Sequence, residues 1–318
     1  MGKYVFICSA GHSGSTLLDL LIGSHSRVES LGEISQLPKN ISLRTRCMCG
    51  QVVDRCEFWK DILDSIGSQM GIDLFDYPYA LNLGFINAAV VIDKKHQTPR
   101  YNLQRKICRA LAYSDLALGL RQFEKIANPV DEGIFNNFML YDTVLRLKKI
   151  NCIVDSSKDY LKAVKLYLKK PHDVKIILLT RDGRGVFYSS LKRGRSKKRS
   201  VLPWINQNRR ALELFKKYIP REKFIAVKYE DLALYPHQTL IKICDFIGIG
   251  YENSMLGYMD FPHHVLNGNN MRFRSASEIH LDDAWRIHLS KNELEYFYKV
   301  GGSVNYLLGY QDNDRIHP

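Results

Sequence analysis

The first twenty residues change hydrophobic period twice. Val5, Phe6 and Ile7 make a short unbroken apolar run, Gly11-His-Ser-Gly-Ser-Thr16 is a small polar turn, and Leu17, Leu18, Leu20 and Leu21 recur at helical spacing. The pattern predicts strand, tight loop and helix. Helical periodicity returns at Phe58–Met70, Leu103–Phe123 and Asp131–Lys149, with loops at 77–82 and 94–100 between. A strand and helix rhythm then resumes. Asn151–Asp155 reads as a strand, Ser156–Asp159 as a polar turn, Tyr160–Leu168 as a helix and Val174–Leu179 as a strand apolar on both faces. A helix over Val186–Leu191, one from Leu202 to Tyr218, a strand over Phe224–Val227 and a helix over Thr239–Ile247 stopped by Gly248 follow. This alternation predicts an α/β fold: a P-loop-containing three-layer α/β/α domain over residues 1–318 with a central parallel sheet. Residues 36–125 form a largely helical insertion expected to shape an acceptor pocket.

The first loop carries candidate chemistry. A glycine-rich turn entering a helix aims backbone N–H groups at one point, and the hydroxyls of Ser13, Ser15 and Thr16 and the helix dipole add to an anion cradle. The triphosphate loop G-x-x-x-x-G-K-[ST] has a Lys before its hydroxyl residue; here Gly14 is followed directly by Ser15, which favours a nucleotide with fewer linked phosphates. A second strand and turn, Thr180-Arg-Asp-Gly-Arg-Gly185, offers Arg181 as a bidentate fork for phosphate, with Ser189 one helix turn or more beyond. Glu33 follows a polar stretch at the expected C-terminal side of the sheet; it reads either as a proton acceptor or as a surface ion pair.

Charge narrows the partners. The chain holds 46 Lys and Arg against 33 Asp and Glu, a net +13 that draws anions toward a cleft. The basic run Lys192-Arg-Gly-Arg-Ser-Lys-Lys-Arg199 lacks aromatic interleaving, so it reads as a solvated loop able to close over an anionic ligand, with no nucleic acid as partner. No apolar run reaches membrane-spanning length, and no leader is expected before the strand at Val5, so a cytoplasmic location is expected.

Cys8, Cys108, Cys152 and Cys244 sit in apolar contexts and are expected in the core. Cys47, Cys49 and Cys56 can supply three thiolates, but they lack the paired C-x-x-C spacing and no fourth ligand stands out, so a redox-labile or structural cluster is expected rather than a metal site. His263-His264 has no Asp, Glu or Cys nearby in sequence to complete a site; the segment Pro262–Arg274 reads instead as an Arg-containing flap over a phosphate.

In this order the motifs resemble the sulfotransferases that use 3′-phosphoadenosine 5′-phosphosulfate, specifically a bacterial branch near the carbohydrate and tyrosylprotein enzymes. The resemblance runs from Tyr4 to about Arg274 and is loosest over 36–125. It implies that Gly11, His12, Ser13, Gly14, Ser15 and Thr16 bind the 5′-phosphosulfate, and that Arg181 and Ser189 hold the 3′-phosphate. It also implies that Tyr229, within Val227–Leu232, lies near the nucleotide and that Asn270, Met271 and Arg272 cover its phosphate. It further implies Glu33 as catalytic base and Lys158 as the cation steadying the bridging oxygen. His12 stands where cytosolic relatives carry Lys, which leaves it as a donor to the leaving phosphate or as a second base. The implied product is adenosine 3′,5′-bisphosphate and the acceptor a small-molecule or saccharide hydroxyl, with the protein a monomer or homodimer. Two rivals remain: a P-loop kinase with Asp155 as its magnesium carboxylate, and a non-catalytic polyanion-binding module resting on Lys192–Arg199.

Overall fold

The computed structural model describes residues 3–84, 99–119, 128–273 and 276–311. Among the described residues, β1 (Tyr4–Ser9), β2 (Val28–Ser30), β3 (Cys152–Lys158), β4 (Val174–Thr180) and β5 (Phe224–Lys228) form one sheet in the order β2-β3-β1-β4-β5. Each neighbouring pair is parallel. The helices are α1 (Ser15–Gly23), α2 (Leu37–Ser42), α3 (Glu57–Met70), α4 (Pro99–Leu118), α5 (Asn128–Lys148), α6 (Tyr160–Lys169), α7 (Gly183–Leu191), α8 (Lys197–Tyr218), α9 (Tyr229–Leu234), α10 (Pro236–Ile247), α11 (Trp285–His288) and α12 (Lys291–Leu307).

The period of two sorts each central strand between two cores. Tyr4, Phe6 and Cys8 of β1 and Val174, Ile176 and Leu178 of β4 face a core shared with α3, α5, α6 and α8. Val5, Ile7, Ile177 and Leu179 face the other side, against α1, α9 and α10. Both faces are covered, which is why the expected strand at 174–179 is apolar throughout. Burial of each large side chain stabilises by about 1.5–3 kcal/mol. A third cluster joins α7, α8 and α12 around Phe187, Trp204 and Phe297. Gly183 starts α7 there because a Cβ would lie 2.5 Å from Phe297 and 2.6 Å from Trp204.

The three-layer α/β/α arrangement with a parallel sheet is the expected one, with local differences. Ser156, Ser157 and Lys158 do not turn; they prolong β3, because Ser156 N–H bonds Gly32 O at 3.0 Å and a register shift against β1 absorbs the irregularity. Helix α8 begins at Lys197 rather than Leu202, since Val201 and Trp204 are already seated in the core, so the basic loop shortens to 192–196. β2 was not legible because it is three residues long and includes Glu29. Cys108 is exposed on α4, whereas Cys8, Cys152 and Cys244 are buried as expected. The expected loop at 94–100 falls largely outside the described residues, as do Arg274 and the end of the helix expected to reach Phe123. Among the described residues no helix is long and apolar enough to cross a membrane.

Candidate active site

β1 lies between β3 and β4; the chain leaving β1 runs to β2 on one side of the sheet and the chain leaving β4 runs to β5 on the other, so the C-terminal end of β1 lies at a switch point where a crevice opens. A cleft of about 680 Å³ occupies it, lined by Gly11, His12, Gly14, Ser15, Thr16, Glu33, Lys158, Arg181, Ser189, Tyr229 and Met271 among others. Most residues expected at the site, drawn from five strand ends and their loops, therefore share one cavity. Ser13, Asn270 and Arg272 do not line it.

The loop after β1 is shaped by two positive φ angles, 66° at His12 and 85° at Gly14. At Gly14 a side chain is barred by conformation and by space, since a Cβ would sit 2.5 Å from the Tyr229 ring. Helix α1 begins with no side-chain cap, and its first residues, Ser15, Thr16 and Leu17, line the cleft, the arrangement in which a helix N-terminus can receive an anion. Thr16 Oγ1 accepts from Asn269 N–H at 3.0 Å, which ties the C-terminal segment across the loop. Gly268, at φ 123°, allows that approach, as a Cβ there would lie 2.8 Å from Thr16 Oγ1.

Glu33 and Lys158 meet across the floor. Gly32, at φ 66°, turns the chain from β2 into the short 3₁₀ turn Ile34–Gln36, which begins just after Glu33. Lys158 ends β3 in the left-handed region, φ 72°, and its Nζ lies 2.5 Å from Glu33 Oε1. Gln207 holds that conformation by donating to Lys158 O at 2.6 Å, and Cys8 Sγ donates to the same oxygen at 3.3 Å. Gln207, on α8, carried no signal in sequence because it is one polar residue on an amphipathic helix.

Arg181, at the end of β4, is almost buried. Its guanidinium lies 4.5 Å from the Tyr229 ring centre, donates to His12 O at 3.0 Å, and pairs with Asp282 Oδ2 at 3.0 Å. Tyr229 Oη in turn donates to His280 O and accepts from Asp282 N–H, so one ring positions the cation and the 280–282 segment. The neighbouring Arg184 is spent inside the fold instead, fully buried, bonded to Asp182 and stacked 4.2 Å over Trp285.

Cations surround His12, while the lining of the cleft also includes Glu33, Glu278 and Asp282. Burial, with Arg193, Arg195, Lys158 and Arg181 nearby, lowers the His12 pKa to about 4, so its imidazole is neutral at pH 7. Arg193 also lines the cleft, placing part of the basic run at the site. A second cavity of about 360 Å³ shares Gly11, His12 and Lys158 with the first and is lined on its far side by Arg109, Arg195 and Arg199. Of segment 36–125, the described lining residues are Gln36 in the first cavity and Arg109 in the second. Asp155 is withdrawn from both: it is buried, paired with Lys162 at 2.9 Å and bonded by Tyr141 Oη at 2.6 Å and Ser157 N–H at 2.8 Å.

Comparison with known proteins adds a lineage. The profile of a family described as the sulfotransferase family matches residues 83–253. Among curated proteins the chain is similar to carbohydrate sulfotransferase 1 of Danio rerio, 25% identical over 169 residues, with 44% of this chain and 39% of the relative covered. The match thus spans about two fifths of that relative's length. Among solved structures it is similar to the sulfotransferase domain of the Synechococcus PCC 7002 olefin synthase, at 17% identity and TM-score 0.49, with 98% of this chain and 96% of that chain covered. It is also similar to the mouse sulfotransferase SULT7A1 complexed with PAP, at 11% identity and TM-score 0.46, with 96% and 87% covered.

Proposed function

The chain belongs to the sulfotransferase family, and from that premise we propose that it transfers the sulfuryl group of 3′-phosphoadenosine 5′-phosphosulfate to a hydroxyl of a small-molecule or saccharide acceptor. The observation that carries this reading is the Glu33–Lys158 pair, at 2.5 Å, on the wall of the cleft that the loop 11–16 also lines. In-line sulfuryl transfer needs a base for the acceptor proton, a cation near the bridging oxygen and donors for the leaving phosphate. Glu33 takes the proton as the acceptor oxygen bonds to sulfur. Lys158 and the loop N–H groups, with Ser15 and Thr16, bear the charge that develops as the bond from sulfur to the phosphate oxygen breaks. His12, neutral at pH 7, serves as a hydrogen-bond donor rather than a cation. Arg181 and Ser189 receive the 3′-phosphate, Arg181 exchanging its exposed partner Asp282 for it.

The second cavity suits the acceptor, since it meets the first at His12 and Lys158. Arg195 and Arg199 favour an acceptor with a negative group near the hydroxyl, Arg109 being paired with Asp159, and the similarity to a carbohydrate sulfotransferase favours a saccharide within that class. A magnesium-dependent kinase is disfavoured because Asp155, the carboxylate it would use, is spent on Lys162, Tyr141 and Ser157. The basic run supports a polyanion module less well now that Arg193 lines the cleft.

Transfer of labelled sulfate from the nucleotide to a panel of neutral and anionic saccharides, phenols and alcohols tests the proposal. Label in a product, with thermal stabilisation by adenosine 3′,5′-bisphosphate but not by ATP with magnesium, is the expected result. Stabilisation by ATP with magnesium alone would overturn it.

A further inference from the structure

Three cysteines and one histidine converge away from the cleft. Cys47 and Cys49 lie on a tight turn in which Cys47 N–H bonds Gln51 O at 2.7 Å and Gly50, at φ 93°, bends the chain. Cys56 stands at the N-terminus of α3, where the helix dipole favours a thiolate. His264 arrives from the C-terminal segment, 208 residues beyond Cys56, with Nδ1 3.3 Å from Cys56 Sγ and 3.9 Å from Cys47 Sγ. The sulfurs of Cys49 and Cys56 are 3.6 Å apart and those of Cys56 and Cys47 3.8 Å, and all four ligand atoms lie within 4.8 Å of one another.

Four of the six separations match the edges of a tetrahedron. Four ligands around zinc at a metal–sulfur distance of about 2.3 Å stand about 3.8 Å from one another. A disulfide needs sulfurs at about 2.0 Å, so the spacing of Cys49 and Cys56 is that of ligands rather than of a bond. The histidine is held for the purpose: its ring stacks on Phe58 at 4.4 Å with a 1° angle between planes, and its carbonyl accepts from Trp59 Nε1 at 2.7 Å. Phe58 and Trp59 belong to the first turn of the helix that Cys56 opens, so thiolate and imidazole are placed by the same element.

A neighbouring charge points the same way. Arg272 is buried, its Nε and Nη1 have no hydrogen-bond partner among the described residues, and its guanidinium lies within electrostatic reach of Cys47 and Glu33. A zinc ion with three thiolates and a neutral imidazole carries a net charge of −1, which would offset the guanidinium.

We propose that Cys47, Cys49, Cys56 and His264 bind one zinc ion in a closed Cys₃His site. Three soft thiolates and one imidazole in a tetrahedron suit zinc, and four protein ligands leave no open position, so the site is structural rather than catalytic. Its work is to fasten the 47–56 turn to the segment that carries Val265, bonded through its carbonyl to Met48 N–H, and Asn267–Met271, part of which lines the nucleotide cleft. The cysteine triplet and the histidine pair each looked incomplete in sequence because each held part of one ligand set.

Metal analysis of the purified full chain, without added metal, tests this. About one zinc per chain is expected, lost in Cys56→Ser and in His264→Ala and kept in Cys108→Ser, which lies outside the cluster. Cobalt replacing the zinc should give tetrahedral d–d bands and a thiolate-to-cobalt charge-transfer band that His264→Ala perturbs. If either ligand variant fails to fold, the zinc content and cobalt spectrum of the unaltered chain decide. A metal-free native chain, a Cys49–Cys56 disulfide in its peptide map, or zinc retained by both ligand variants would overturn the proposal.

Discussion

Lys158 Nζ lies 2.5 Å from Glu33 Oε1 although 125 residues separate the two in the chain. The contact exists because β2 and β3 are adjacent and parallel, so their C-terminal ends deliver both side chains to one edge of the cleft. Glu33→Gln keeps the shape and removes the proton acceptor. Turnover should fall by about 10²- to 10⁴-fold, the usual contribution of a general base, with the Kd for adenosine 3′,5′-bisphosphate nearly unchanged. Calorimetry beside initial rates checks the split, and equal losses in both would refute the role of base.

Gln207 acts through Lys158. Its amide donates to the Lys158 carbonyl at 2.6 Å, in support of a residue held at φ 72°. Gln207→Leu removes a bond worth about 1 kcal/mol and should lower kcat several-fold with little effect on nucleotide binding. The same change in a Lys158→Met background should add almost nothing. Additive losses in that double-mutant cycle would mean that Gln207 works elsewhere.

Asp282 occupies the fork of Arg181 at 3.0 Å while remaining half exposed. A carboxylate in a phosphate site competes with the ligand, so Asp282→Asn should tighten adenosine 3′,5′-bisphosphate binding several-fold. Arg181→Ala should weaken it by about tenfold or more, the loss expected for a charge-assisted bidentate contact. A Kd that rises in Asp282→Asn would show that the carboxylate orients the arginine instead.

Asp19, inside α1, is buried, and burial raises its pKa from 3.8 to about 7 against the opposing hydroxyls of Ser30 and Ser156. The folded state therefore keeps a proton that the unfolded chain releases between pH 4 and 7. Stability contributed by this group is present at low pH and is lost as pH rises to about 7, at a limiting slope of about 1.4 kcal/mol per pH unit. Asp19→Asn removes the slope, so its stability advantage in urea melts should widen from pH 4 to 7 and then level off. An advantage independent of pH would place the carboxyl in its ionised form throughout.

What was legible followed from period and punctuation. The apolar run of β4 and the glycine turn after β1 depend on local preferences, so their positions stood in the sequence. In the segment Thr180-Arg-Asp-Gly-Arg-Gly185 the place of Arg181 at the end of the strand singled it out in sequence. Packing adds the fate of its neighbour: Arg184 is locked against Asp182 and Trp285, while Arg181 lines the cleft beneath Tyr229. Asp155 shows the reverse case, a carboxylate well placed at the end of a strand that Lys162 and Tyr141 consume.

The sequence by itself determined the alternation of strand and helix, the loop 11–16 and the basic charge, because each is set by neighbours within a few residues. Tertiary structure alone decided which charged groups face the cleft, which are spent in the core, and that His264 completes the cysteine cluster. The physical reason is distance along the chain. Partners such as Glu33 and Lys158 or Cys56 and His264 are joined by sheet order and loop packing, and no local pattern records which remote residue will be the neighbour.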